Sequence, residues 1–153
     1  MMDEPIIDGN DDKLAAVIEA MIPKSMDDII RKNREVVQLR LANETDISKL
    51  QAEIEEDNPV FILDNWNLLA FDRLGVTTVH LIGDVRGESE PRITSKAIEI
   101  DMKRHVLTTI SGNLYRMGSR NDGEPNTEKL YLICAYMHEW GIGQMLGVPH
   151  FFY

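Results

Sequence analysis

The chain has a single cysteine, Cys134, so it cannot form an intramolecular disulfide. That suits a reducing compartment, where disulfides are rare. The N-terminus is acidic where a secretory signal is basic, and no long apolar stretch follows it. The longest apolar runs, such as residues 60–63, are far shorter than the roughly 20 residues that span a bilayer. We therefore expect a cytoplasmic protein without a membrane anchor.

The sequence also lacks the motifs that most often carry chemistry. The glycine-bearing stretch 83–87 has neither the further glycine nor the lysine of a phosphate-binding loop. Two-histidine phosphodiesterases place a hydroxyl residue two positions after each histidine. Here Ile82 follows His80 and Leu107 follows His105 at that spacing. We predict no catalytic residue and no cofactor, and a small enzyme with an unrecognised Cys/His site is the alternative.

Basic residues are scarce in the first part of the chain. Residues 1–58 hold 15 acidic and 7 basic side chains, a net charge of −8 out of −10 for the whole chain. Negative charge repels a phosphate backbone, so direct nucleic-acid binding is disfavoured, while a basic protein surface would be attracted. A charge of this size also keeps a small protein soluble without serving any contact. The composition leaves both interpretations open.

Hydrophobic periodicity predicts an α+β fold with helices first. Residues 1–10 are expected to be a flexible arm and residues 11–153 a single α+β domain, whose part 11–58 is acidic and helical. The predicted helices run from Asp11 or Asp12 to Pro23, from Ser25 to Asn43, and over about 46–56. Because the link between the last two is so short, they would form an antiparallel helical hairpin.

The part 59–153 is predicted to be a sheet packed on a C-terminal helix. A short helix is expected over 65–75, after which the apolar residues alternate. The predicted strands are 76–82, 93–100, 105–110 and 114–117. Short polar links make these a small antiparallel meander of three to four strands. A last helix, 127–140, is apolar on most sides and is predicted to be buried.

Acidic residues mark one candidate contact surface. A helical hairpin resembles a DNA-binding helix-turn-helix, but its second helix would be acidic, unlike a helix that lies among phosphates. A basic protein partner is the better match. The candidate partner-binding residues here are Asp46, Glu53, Glu55, Glu56 and Asp57.

The C-terminus is the second candidate surface, with eight large apolar or aromatic residues in the last fourteen positions. Either it folds back on the core, or it presents an aromatic anchor to a partner or a second copy. The candidates are Trp140, Phe151, Phe152 and Tyr153.

Cys134 and His138 are the best candidates for a metal site. They are four residues apart and so share a helical face, and zinc takes thiolate and imidazole ligands. Cys134 also belongs to an apolar stripe, where a free cysteine behaves as a small hydrophobe. We predict no metal site and treat the pair as the alternative.

Two stretches within residues 79–153 carry a recognisable pattern. The first is Thr94-Ser95, then Thr109, Ser111-Gly112, Tyr115 and Gly118. The second is His138-x-Trp140-Gly141 followed by Gly147-Val148-Pro149-x-Phe151-Phe152-Tyr153. Together they resemble short uncharacterised proteins of bacteria and of their plasmids and phages. The resemblance implies an origin in a mobile element and carries no established activity.

These observations lead to one hypothesis and two alternatives. The leading hypothesis is a non-catalytic, acidic protein-binding factor, such as a phage or plasmid inhibitor of a host nucleic-acid-handling or CRISPR defence complex. Acidic side chains can take the place of phosphates on a basic surface. The alternatives are the small enzyme and a homodimeric accessory protein that pairs through the helical hairpin or the aromatic tail.

Overall fold

Within residues 9–150, which the computed structural model describes, the chain forms three helices and one seven-stranded sheet. Phe151, Phe152, Tyr153 and residues 1–8 of the predicted arm lie outside the described residues. The helices are α1 (Gly9–Met21), α2 (Glu44–Ser48) and α3 (Thr127–Glu139), with a 3-10 turn at Met26–Asp28. The strands are β1 (Val37–Leu41), β2 (Phe61–Arg73), β3 (Val76–Val85), β4 (Pro91–Ile93), β5 (Ala97–Asp101), β6 (Val106–Thr109) and β7 (Leu114–Met117). None of these helices is long and apolar enough to cross a membrane.

The long strand β2 organises the sheet, whose order is β4-β3-β2-β7-β6-β5 with β1 also paired to β2. β3 runs antiparallel along one side of β2. On the other side, β7 pairs in parallel with Phe61–Leu63 and β1 pairs antiparallel with Leu69–Arg73. β2 and β3 therefore form a central hairpin, and the other side of β2 pairs with two separate strands, β1 and β7.

The sheet curls on itself. β4 and β5 stand at opposite ends of the strand order, yet only residues 94–96 separate them in the chain. Thr94 holds this corner, because its N–H donates to the Leu81 carbonyl at 2.9 Å and its hydroxyl accepts from the Leu81 N–H at 3.1 Å. Residues 50–52 cover the outer edge of β5 through hydrogen bonds in both directions with Ile100.

Both faces of the central hairpin are buried. On the inner face, Leu68, Val79 and Leu81 pack in one apolar cluster with residues of β5, β6 and β7. On the outer face, Leu69, Phe71 and Ile82 pack against α3, residues 26–37 and residues 142–148. The α3 residues in this outer cluster are Leu130, Ile133, Cys134 and Met137. The predicted burial of the C-terminal helix is thus confirmed for one side of the helix.

The helical hairpin predicted for residues 25–56 is wrong. Residues 37–41 are a strand, and α2 covers only five residues. Asn43 begins α2 instead of ending a helix, since its side chain accepts from the Asp46 N–H while the Asp46 carboxylate accepts from the Asn43 N–H. The strand is stabilised by β2, which lies about thirty residues further along, so local spacing could not reveal it.

The helix predicted for 65–75 is also wrong, because these residues belong to β2 and the turn after it. Residues 66–71 are all buried, since both faces of the strand are covered. The continuous apolar run within it, residues 68–71, fits a buried helix and a buried strand equally well. With β1, β2 and the division of 93–100 into β4 and β5, the sheet has seven strands and is larger than the predicted meander. Strands near the predicted 76–82, 105–110 and 114–117 are present.

Candidate functional site

Residues 53–57, which we call the acidic segment, cross the end of the sheet beside β6 and β7. Ile54, its second residue, is 5% exposed and packs on Val106 and Leu114. The Ile54 N–H donates to the Asp101 carboxylate at 3.0 Å, and its carbonyl accepts from Arg104 Nη1 at 3.0 Å. The Ile54 N–H also holds the pKa of Asp101 below its ordinary value. The segment is therefore fixed in place although it is neither helix nor strand.

The charged side chains of the acidic segment point away from this anchor. Glu53, Glu55, Glu56 and Asp57 are all exposed. Asp57 pairs with Arg116 at 2.7 Å. Within residues 9–150 the other three carboxylates form no ion pair.

A recess of about 410 Å³ lies beneath the acidic segment. Ile54 and Val106 contribute its apolar lining, and the rest of the lining is charged, from Arg104, Arg116 and the acidic side chains 55–57. The recess therefore has a lining of mixed charge.

Asp46 is buried and bound to an arginine, unlike the exposed candidates Glu53, Glu55 and Glu56. It is 8% exposed and its two oxygens accept from Arg40, which also binds Asp72 of β2 through two hydrogen bonds. The hydrogen bonds from Arg40 hold the pKa of both carboxyl groups below their ordinary values. Asp46 therefore joins α2 to the sheet, and its carboxylate is not available to a partner.

Trp140 has a position between core and surface. Its ring meets Phe71 edge-on, with centroids 5.5 Å apart at 88°, and Tyr136 lies 6.0 Å away. About 36% of the residue is exposed. Of the C-terminal segment that follows, Ile142, Leu146 and Val148 are buried in the outer cluster, so this stretch folds back on the core.

Cys134 and His138, the residues of the alternative Cys/His site, are held by contacts within the fold. Cys134 is fully buried, and burial raises the pKa of its thiol to about 12, which disfavours a thiolate. His138 Nε2 lies 2.9 Å from the Val148 carbonyl, and its ring stacks on His150 with centroids 4.4 Å apart. Within residues 9–150 no group of three or more His, Cys, Asp or Glu side chains is placed to hold a metal ion.

His80 and His105 lie in different environments, one buried and one exposed. His80 Nδ1 lies 3.0 Å from the Thr94 carbonyl, to which it can donate, and Nε2 lies 3.0 Å from the Thr78 hydroxyl, from which it can accept in the neutral ring. Burial lowers the pKa of His80 and favours that neutral form. His105 is exposed, with a positive φ of 59° in the turn between β5 and β6.

A polar network around an irregularity in β2 was not anticipated from the sequence. The register of β2 and β3 shifts between Asp64 and Asn67, and Asn65 has a φ of 49°. Asp64 receives two hydrogen bonds from Arg86, at 2.8 and 2.9 Å, and one from the Ser119 N–H at 3.0 Å. These bonds hold the pKa of Asp64 at about 2.

Lys129 completes this network from the first turn of α3. Its side chain is 2% exposed, and Nζ lies 3.3 Å from both an Asp84 oxygen and the Asn65 carbonyl. Asn65 Nδ2 donates to the same Asp84 oxygen at 3.0 Å. A buried lysine is rare in proteins. A lysine within a largely apolar helix is common, so the sequence around Lys129 does not predict that its side chain is buried. The network fastens the loop before α3 to the sheet.

Comparisons with known proteins place no family name on this arrangement. No protein-family model matches the chain. Neither the curated proteins nor the solved structures that were compared with it give a match.

Proposed function

We propose that the protein is a non-catalytic binding factor whose acidic segment contacts a basic surface on a protein partner. The observation that carries the proposal is the set of exposed carboxylates Glu53, Glu55 and Glu56, which have no ion pair within residues 9–150 and stand on a segment anchored by Ile54. An anchored segment loses little conformational entropy on binding, so its charges contribute more to affinity than those of a loose tail.

The partner surface that suits this segment is one that normally binds nucleic acid. Such surfaces carry clustered Lys and Arg side chains that neutralise phosphates. Several carboxylates on one short segment offer those side chains a similar series of negative charges. Within the proposal, the partner is a host nucleic-acid-handling or defence complex, and binding would block its access to nucleic acid.

Removal of charge from the acidic segment tests the proposal. The triple variant Glu53→Gln, Glu55→Gln, Glu56→Gln keeps side-chain size and leaves the Ile54 anchor intact. The matched control, Glu88→Gln, Glu90→Gln, Glu139→Gln, removes the same charge from three other exposed positions. Wild type and both variants would be immobilised and exposed to host extract, and bound proteins eluted with increasing salt.

We expect wild type and control to retain the same partner and the triple variant to lose at least tenfold in affinity, since three fewer negative charges weaken the attraction to a basic surface and slow association. The partner should elute as salt rises, and a single-stranded oligonucleotide should displace it. Equal retention by all three proteins would contradict the proposed surface. Displacement by salt without any effect of the oligonucleotide would contradict the nucleic-acid-like mode.

A further inference from the structure

A recess of about 570 Å³ lies between α2, the turn after β5 and the loop after β7. This volume falls within the roughly 300–1,000 Å³ of pockets that bind small molecules. Ala42, Ile47 and Met102 give the recess an apolar lining and pack on the apolar cluster of the inner face. Arg120 and Glu44 bring one positive and one negative charge to the same lining. The recess can therefore hold a molecule that has both an apolar and a charged part.

Arg120 is held in position at this recess by Trp66. Its guanidinium lies over the Trp66 ring, 5.2 Å from the ring centroid. The backbone on both sides is bound as well, since the Trp66 N–H donates to the Ser119 carbonyl at 3.1 Å and the Asn121 N–H donates to the Trp66 carbonyl at 2.9 Å. The Trp66 indole N–H donates to the Gly118 carbonyl at 2.9 Å, so the ring is also fixed. The guanidinium is therefore positioned before any ligand arrives.

The N–H groups of the Arg120 side chain have no ion-pair partner in the part of the chain that the structure describes. Stacking uses the flat face of a guanidinium, whereas its five N–H donors lie in the plane of the group. The contact with Trp66 therefore leaves those donors available. Arg40 differs in this respect, because it binds the carboxylates of both Asp46 and Asp72. Arg120 presents an unused fork of donors of the kind that pairs with a carboxylate.

We propose that this recess binds a small organic monocarboxylate. Its carboxylate pairs with the Arg120 guanidinium through two parallel N–H···O bonds, and its apolar body packs against Ala42, Ile47 and Met102. Because the guanidinium is already held by Trp66, little side-chain freedom is lost on binding.

Glu44 sets the preferred charge of the ligand. Its carboxylate belongs to the same lining and repels negative charge. A phosphate monoester carries roughly two negative charges near neutral pH, against one for a carboxylate. The second charge adds repulsion from Glu44, so the monocarboxylate is favoured. This site is separate from the acidic segment, which lies at residues 53–57 and attracts charge of the opposite sign.

Titration with phenylacetate at constant ionic strength, followed by proton–nitrogen NMR, tests the site. The Arg120 Nε–H and the Trp66 indole N–H resonances should shift along one saturable curve, while the indole N–H of Trp140, outside the recess, stays in place. Acetate should bind at least tenfold more weakly, because it has no apolar body to bury. Phenyl phosphate should also bind more weakly. No saturable shift with phenylacetate, or binding of acetate or phenyl phosphate as tight as that of phenylacetate, would overturn the proposal.

Substitutions assign the roles, with binding read from the Trp66 indole N–H. Arg120→Gln should weaken phenylacetate binding at least tenfold. The matched control, Arg92→Gln, removes another exposed arginine that stacks on an aromatic ring, Phe61 at 4.2 Å, and should leave binding unchanged. Glu44→Gln should strengthen binding about twofold, since it removes a repulsion. A purely structural Arg120 would not produce that gain. Equal losses in the two arginine variants, or weaker binding by Glu44→Gln, would overturn the proposal.

The site and the acidic segment are tested independently. The triple variant Glu53→Gln, Glu55→Gln, Glu56→Gln should bind phenylacetate as tightly as the wild type does, because none of its substitutions lies in the recess. Near-UV circular dichroism of each variant checks that the fold is intact. If Arg120→Gln does not fold, Arg120→Lys keeps the charge without the planar fork and should still weaken binding several-fold. Unchanged binding by folded Arg120→Lys would contradict the paired geometry.

Discussion

Lys129 Nζ lies 3.3 Å from the Asp84 carboxylate, and the two residues differ sharply in exposure. The Lys129 side chain is 2% exposed and that of Asp84 is 42% exposed. Asp84 can therefore be hydrated without its partner, whereas Lys129 has little access to water. The pair joins the first turn of α3 to β3 next to the irregularity in β2.

This asymmetry predicts unequal effects of the two single substitutions. Asp84→Asn leaves a buried ammonium without its counter-charge and should lower the free energy of unfolding by about 2 kcal/mol. Lys129→Met removes the buried charge and fills the space, and should change it by less than about 1 kcal/mol. Urea unfolding measures both. The double variant should resemble Lys129→Met, and equal losses in the two single variants would contradict this account.

Acid should weaken the fold through Asp64. Its pKa in the folded protein is about 2, against an ordinary value of 3.8. A depressed folded-state pKa adds stability above the unfolded pKa, and that stability is lost as pH falls from about 4 towards 2. Asp64→Asn should flatten this part of the stability profile, measured by urea unfolding at a series of pH values. Glu88→Gln, at an exposed position, is the control and should leave the profile unchanged.

Gly83 is expected to be intolerant of any side chain. A Cβ there would lie 2.9 Å from the Asp64 carbonyl oxygen and 3.2 Å from the Trp66 Cα, and neither backbone atom can move freely. Gly83→Ala should cost about 1–3 kcal/mol of stability and shift the indole N–H resonance of Trp66. Gly87→Ala meets no atom within 4 Å but has a φ of +88°. This control should lose stability through strain alone and leave the Trp66 resonance in place.

Cys134 should be unreactive in the folded protein. Its thiol is buried and its pKa is raised to about 12, so the thiolate that attacks disulfide reagents is scarce near neutral pH. Reaction with an aromatic disulfide reagent should be negligible in buffer and rapid in denaturant. Rapid reaction in buffer, with the protein still folded by circular dichroism, would revive the hypothesis of thiol or metal chemistry at Cys134 and His138.

The last helix and strand β3 were predictable from the sequence. The stripe of α3 that includes Leu130 and Cys134 is buried as its 3.6-residue period predicts. The alternation in β3 likewise matches a strand, with Leu81 on the inner face and Ile82 on the outer face. In these segments the local pattern and the tertiary environment agree.

The predictions from the sequence were wrong where distant residues decide the conformation. β1 is a strand because β2 offers it hydrogen bonds, and Arg40 of β1 meets Asp72 of β2 and Asp46 of α2. Of the acidic candidates, Asp46 became a buried partner of that arginine, while Glu53, Glu55 and Glu56 stayed exposed. Spacing along the chain cannot distinguish these cases, because the distinction depends on which long-range partner a side chain meets.

The sequence by itself determined the charge of −8 on residues 1–58 and a mixed fold of helices and strands. It also determined the apolar stripe of the last helix, which contains Cys134 and is buried. Only the tertiary structure decided that, within residues 9–150, the sheet has seven strands and curls on itself and Ile54 anchors the acidic segment. It also decided that the apolar side chains Leu14, Val17, Ile18 and Met21 of α1 are exposed. Composition and periodicity are local properties that the chain carries into any fold. Strand pairing, burial and ion pairing depend on contacts between distant residues, which exist only once the chain has folded.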